Sequence, residues 1–188
     1  MRAPLGERDA LLLLVDFQEG LDEPRWGRRN NPRAEEVAAK LLAAWRGSGR
    51  PVVHVRHLSE EPNSPLRPGQ PGSDLKAVVR PAAGEPVVEK SVNSAFIGTD
   101  LEERLRENGT RTVVVAGLTT DHCVSTTARM AGNLGFETYV VSDATATFDR
   151  VGPGGDPFTA EQVHEVSLAS LHGEFATVAN SREILGLL

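Results

Sequence analysis

The sequence predicts a doubly wound α/β domain with a mostly parallel sheet, and three observations carry that prediction. Short runs that are apolar throughout, such as ALLLLVDF at 10–17 and RTVVVAG at 111–117, fit strands buried on both faces. Between such runs lie stretches with apolar residues three or four apart, opened by a proline or capping residue and closed by glycine, as helices are. The two kinds of segment alternate along the whole chain, the pattern of parallel strands joined by helical crossovers. At 188 residues the chain is one domain's worth, enough to bury roughly 70% of the surface an unfolded chain exposes.

Taken in order, the first strand spans 10–17. NPRAEEVAAKLLAAWRGSG follows, with Pro32 early, Val37, Leu41, Leu42 and Trp45 at helical spacing, and glycines at its close. PVVHVRH at 51–57 is the second strand. From 58 to 85 prolines and glycines recur too often for a long regular element, which predicts a lid, a binding loop or an interface arm. PVVEK at 86–90 is a short strand, GTDLEERLRENG at 98–109 a helix with a threonine cap and a closing glycine, and 111–117 another strand. Residues 121–135 suit a helix, 137–143 a strand, 159–173 a helix, 174–179 a last strand and 181–188 a final helix.

Composition excludes several function classes. Lys and Arg total 20 against 26 Asp and Glu, a formal charge of -6, and the basic residues are scattered, so no nucleic-acid footprint is present. The single cysteine cannot close an internal disulfide, and a thiol kept reduced predicts the cytoplasm. The apolar run near the N-terminus is too short for a signal core or a membrane span. No glycine-rich phosphate cradle follows the first strand, so no nucleotide cofactor is expected. The predicted partners are a small-molecule substrate and further copies of the chain, as a dimer or tetramer.

Open α/β sheets build their sites at the carboxyl ends of strands. Asp16 ends the first strand, Lys90 the third, and Cys123 lies just beyond the fourth. Singly, each has an ordinary reading: a turn cap, a solvated charge, a small buried hydrophobe. Together they describe a nucleophilic site. A helix N-terminus and an ammonium are expected to lower the thiol's pKa, Asp16 to move protons as general base and acid, and Lys90 to hold the anionic partners together. Such a set carries acyl transfer through a thioester.

The stretches around these residues, LLLVDFQEG, VVHVRHLS, EKSVNSAFIGTDLEERLRENG and VVVAGLTTDHCVSTTARMAGNLGFETYVVSDATATFD, occur in an order that resembles the isochorismatase-like cysteine hydrolase superfamily. Its members include nicotinamidases and N-carbamoylsarcosine amidohydrolases. The resemblance spans nearly the whole chain. It implies a three-layer fold, with six parallel strands and helices on both faces, and a triad of Asp16, Lys90 and Cys123. It further implies a cis peptide between Leu118 and Thr119, and an oxyanion hole formed by the backbone NH groups of Thr119 and Cys123.

Nicotinamidases of this superfamily bind a metal through an Asp-x-His pattern after the second strand, which this chain lacks. It has His54 and His57, which alternation along a strand points to opposite faces, so no metal site is expected. His54 is expected to pack within the fold, and His57 to touch substrate. Gln18, Asn93, Phe96 and His122 are further candidates to line or contact the substrate, and Phe148, in the stretch after the fifth strand, to close the pocket or meet a neighbouring subunit. The leading expectation is a hydrolase of a small amide or other C–N bond. The alternatives are vinyl ether hydrolysis using the aspartate, as in true isochorismatases, and a catalytically silent binding or assembly member of the fold.

Overall fold

The computed structural model describes Leu5 and residues 9–188. In chain order the elements are β1 (Ala10–Val15), α1 (Ala34–Gly47), β2 (Val52–His57), β3 (Val87–Lys90), α2 (Leu101–Glu107), β4 (Thr112–Leu118), α3 (Ser125–Asn133), β5 (Glu137–Ala146), β6 (Arg150–Val151), β7 (Pro157–Phe158), α4 (Ala160–Leu171), β8 (Thr177–Ala179) and α5 (Ser181–Leu185). Six strands form one sheet in the order β3-β2-β1-β4-β5-β8, every pair parallel. The uniformly apolar β1 is central, flanked by β2 and β4, and is buried at each residue. The two edges, β3 and β8, are the short strands of this sheet and are partly exposed, which limits the unpaired backbone they offer.

Alternation along β1 divides the core in two. Leu12 and Leu14 pack with Leu41, Leu42 and Trp45 of α1 and Ile184 of α5 on one face. Leu11, Leu13 and Val15 pack with Leu101 and Leu105 of α2, Ala128 of α3, and Leu168 and Leu171 of α4 on the other. Helices therefore cover both sides of the sheet.

Several boundaries differ from the sequence reading, each for a local reason. Strand β5 runs on to Ala146, its register against β4 shifting between Val115 and Gly117. Strand β8 starts only at Thr177, because the chain first turns at Gly173, which has a φ of 86°. Before α3 the chain makes a π-helical turn over Thr120–Val124. The β6–β7 pair is an antiparallel ribbon of two residues a side that no periodicity announces.

The segment 58–85 holds only two single-turn helices, Pro71–Ser73 and Ala77–Val79. It is nonetheless pinned. Lys76 donates to Glu35 of α1 and to Asp22, each at 2.6 Å, while Arg29 makes a two-pronged pair with the same Glu35 at 2.7 Å. Four residues before Lys76, Gly72 meets Gly20 so closely that a Cβ on Gly20 would come within 2.9 Å of the Gly72 carbonyl oxygen.

Candidate active site

Three strand ends converge. Directly after β1, Asp16 takes a left-handed conformation, φ 53°, tolerable for an aspartate though uncommon. Its backbone turns there, the NH of Gln18 donating to the Asp16 carbonyl at 2.8 Å. On β3 the side chains alternate out and in, so Val88 and Lys90 point inward. Lys90 is opposite His57 of β2 in the sheet register. Cys123 sits within the π turn, whose backbone is closed by the NH of Val124 on the Thr119 carbonyl at 3.2 Å.

The Lys90 side chain has no solvent exposure and that of Asp16 only 2%. The three ammonium protons of Lys90 meet three neighbours: Asp16 Oδ2 at 2.7 Å, His57 Nδ1 at 2.9 Å and Cys123 Sγ at 3.3 Å. Asp16, Lys90 and Cys123, far apart in sequence, are thus in direct contact through one nitrogen. An ammonium has no acceptor, so His57 must accept through Nδ1 and is neutral. Burial and the Lys90 charge both press its pKa below the ordinary imidazole value. The other carboxylate oxygen, Asp16 Oδ1, is buried without a hydrogen-bond partner.

The thiol departs from expectation. Burial first, then the Asp16 charge, push the Cys123 pKa up, and the opposing pull of Lys90 is weaker. The predicted lowering fails because Cys123 is only 9% exposed and faces a carboxylate as well as the lysine. Both effects favour the protonated form of the thiol in the resting site.

Above these residues opens a cavity of about 470 Å³, lined by Asp16, His57, Asn93, His122 and Cys123 among others. Leu118 and Thr119 also line it, and the bond between them is cis. Asn93 Oδ1 lies 3.7 Å from Cys123 Sγ. The 58–85 segment contributes Ser59 and residues 61–66 to the wall. On the far side of the π turn, Thr120 Oγ1 is 2.9 Å from Nδ1 of the buried His164.

Two of the substrate contacts read from sequence need correction. Gln18 is fully buried and its amide is spent on the protein: it donates to the carbonyls of His57 and Ser73 at 2.9 Å and accepts from the His57 NH at 2.8 Å. It braces the end of β2 and does not line the cavity. Phe96 stacks on Phe136, ring centres 6.3 Å apart, and packs into the core under α2 and α3 instead of walling the site. Conversely, Leu21, Arg25, Trp26 and Arg150 line the cavity unforeseen. A tryptophan in a non-periodic segment just past a strand end was the available signal for Trp26.

Among the described residues, Asp16, His57 and Cys123 form a group with metal-ligand spacing, their ligand atoms within 4.8 Å of one another. The Lys90 ammonium touches all three, so a positive charge already stands where a metal ion would, and the residues do not fit one. His54 turns away from the site to pair with Glu85 at 2.8 Å.

The Isochorismatase domain pattern matches residues 10–183. The chain belongs to the isochorismatase family of hydrolases. It is 46% identical to the isochorismatase family protein YrdC of Bacillus subtilis, over 95% of this chain and 96% of that one. A crystal structure of an isochorismatase-family protein from Chromobacterium violaceum superposes with a TM-score of 0.94 at 49% identity, covering 100% of this chain and 98% of the other. The maleamate amidohydrolase of Pseudomonas putida is 30% identical over 95% of this chain and 86% of its own length. Within this isochorismatase-family chain no helix among the described residues is long and apolar enough to cross a membrane.

Proposed function

We propose that this protein hydrolyses a small amide, or a related C–N bond, through a thioester on Cys123. The observation that carries the reading is the single nitrogen of Lys90 in contact with both Asp16 and Cys123 at the floor of an open cavity.

Each group has a task it is placed for. Because burial favours the protonated thiol, its proton leaves as the S–C bond forms on the substrate carbonyl, and Asp16, with Oδ1 unclaimed, is the base at hand. The tetrahedral oxyanion would be met by the NH groups of Thr119 and Cys123, the arrangement the family resemblance implies. Asp16 then returns the proton to the departing nitrogen, the C–N bond breaks, and the amine or ammonia leaves. Water attacks the thioester with Asp16 again taking its proton, the acid departs, and the sulfur regains a proton. The Lys90 ammonium, in contact with both groups, offsets the negative charge that passes between carboxylate and sulfur. His57, accepting from Lys90, holds that ammonium in place. The maleamate amidohydrolase relative supports an amide as the bond class.

Ammonia release from a panel of small amides and ureido acids tests the proposal, with Cys123→Ala as the control. Turnover by the wild type and its loss in the variant are expected. A Cys123→Ala protein that retains its rate would remove the thioester and return the chemistry to Asp16 alone.

A further inference from the structure

The walls above the nucleophile carry information about the acyl group. Trp26 and Phe148 both line the cavity and stack on each other, ring centres 5.9 Å apart and planes inclined by 27°. They are far apart in the chain and are held together by bonds between their segments: the NH of Asn30 donates to the Thr147 carbonyl at 3.1 Å, the NH of Asp149 to the Arg28 carbonyl at 3.0 Å, and the NH of Thr147 to the Asn30 side chain at 2.7 Å. The Trp26 indole NH is taken by the Gly20 carbonyl at 2.7 Å, leaving a ring with no polar demand on a ligand. The wall is therefore built before any substrate arrives.

The charges point the same way. Arg150 is claimed by Asp121 through two contacts at 2.8 and 3.3 Å, and Thr147 donates to the same carboxylate. Arg25 pairs with Glu23 at 2.9 Å and donates to the Asn63 carbonyl. The Lys90 protons are all engaged. Asp16 and Glu61 also face the cavity, and among the described residues Glu61 has no ion pair. A substrate carboxylate would meet no unmatched cation, the unmatched Glu61, and the cost of prising Arg150 from Asp121, the Asp16 charge being already offset by Lys90.

We infer that the cavity selects an uncharged amide whose acyl part is flat and apolar, seated on Trp26 with the buried Phe148 ring as its backing. This rests on the amide-hydrolase reading and adds the substrate class to it.

Binding to the Cys123→Ala protein separates the two claims, since it requires no turnover. The chain has two tryptophans, and Trp45 is fully buried in the core, so a ligand-induced change in emission reports on Trp26. Terephthalamide and 4-carboxybenzamide share a shape and differ by one negative charge; acetamide lacks the ring. Terephthalamide is expected to quench emission and to bind at least about tenfold tighter than either of the others. By calorimetry on the same background, Trp26→Ala should lose about tenfold of that affinity while Trp26→Phe keeps most of it. Both variants lose the bond to Gly20, so their difference isolates the ring. Equal or tighter binding of 4-carboxybenzamide, or equal binding by the two Trp26 variants, overturns the inference. Should terephthalamide bind as expected while the wild type releases no ammonia from any amide, the substrate wall stands and the reaction class falls.

Discussion

Replacing Lys90 with methionine keeps most of the side-chain volume and removes the charge, and the structure sets the size of the effect. Lys90 and Asp16 are a buried ion pair, 0% and 2% exposed, and Asp16 Oδ1 already lacks a partner. Without the ammonium, the carboxylate keeps only the weakly donating Cys123 thiol beside it. Breaking a buried pair on one side costs about 3–5 kcal/mol, a large share of the about 5–15 kcal/mol that holds a domain folded. Adding Asp16→Asn removes the stranded charge, so the double variant should recover at least about 2 kcal/mol relative to Lys90→Met. Urea unfolding followed by emission of the buried Trp45 measures both. Activity should behave differently: groups that act as a unit are not additive, so each single variant and the pair should lose kcat/KM to a similar extent. A loss of stability below about 1 kcal/mol in Lys90→Met, or a double variant no more stable than it, would refute the picture of one coupled buried charge cluster.

Three further outcomes follow from the same geometry. Burial holds His54, His57 and His164 below the ordinary imidazole value, so the unfolded chain takes up protons first; stability should be full above pH of about 6.5 and fall as pH drops below it, and a urea midpoint that rises between pH 7.5 and 5.5 would contradict this. Because the Cys123 thiol is pushed up, its alkylation by iodoacetamide should be slow at neutral pH and still accelerating at pH 9, where a plateau below pH 8 would show a standing thiolate instead. Gly117 has φ 152° and a Cβ there would overlap the Val15 carbonyl oxygen, so Gly117→Ala should destabilise by about 3 kcal/mol; Gly135→Ala, left-handed but in open space, should cost only about 1–2 kcal/mol, and thermal unfolding of the two compares them.

The legible part of this protein was the part that depends on strand order. A chain that alternates buried strands with helices must place strand ends on one rim, and Asp16, Lys90 and Cys123 each sit at or just past such an end, so their meeting could be read from position alone. What depends on burial or on pairing between remote segments could not. The direction of the Cys123 shift turns on how little solvent reaches the sulfur. Gln18 looked free to meet a ligand because nothing local shows that His57 and Ser73 take all three of its bonds. Trp26 and Phe148 come together through a bridge between segments near residues 29 and 148, which no periodicity reports. Phe96 was misread for the opposite reason: it follows Lys90 closely in sequence, yet its ring turns inward toward Phe136.

The anchoring of the 58–85 segment separates two kinds of evolutionary freedom. Its hold on the scaffold lies at Lys76 and Gly72, whereas the residues it lends to the cavity are Ser59 and 61–66. Of these, Glu61, Pro62 and Asn63 are exposed and free to vary, whereas Pro65 and Leu66 are buried against Gly72 and Gly20 and belong to the clasp itself. The segment is thus a fastened strap with a variable rim: its exposed edge at 61–63 can change composition while the strand ends beneath keep their arrangement.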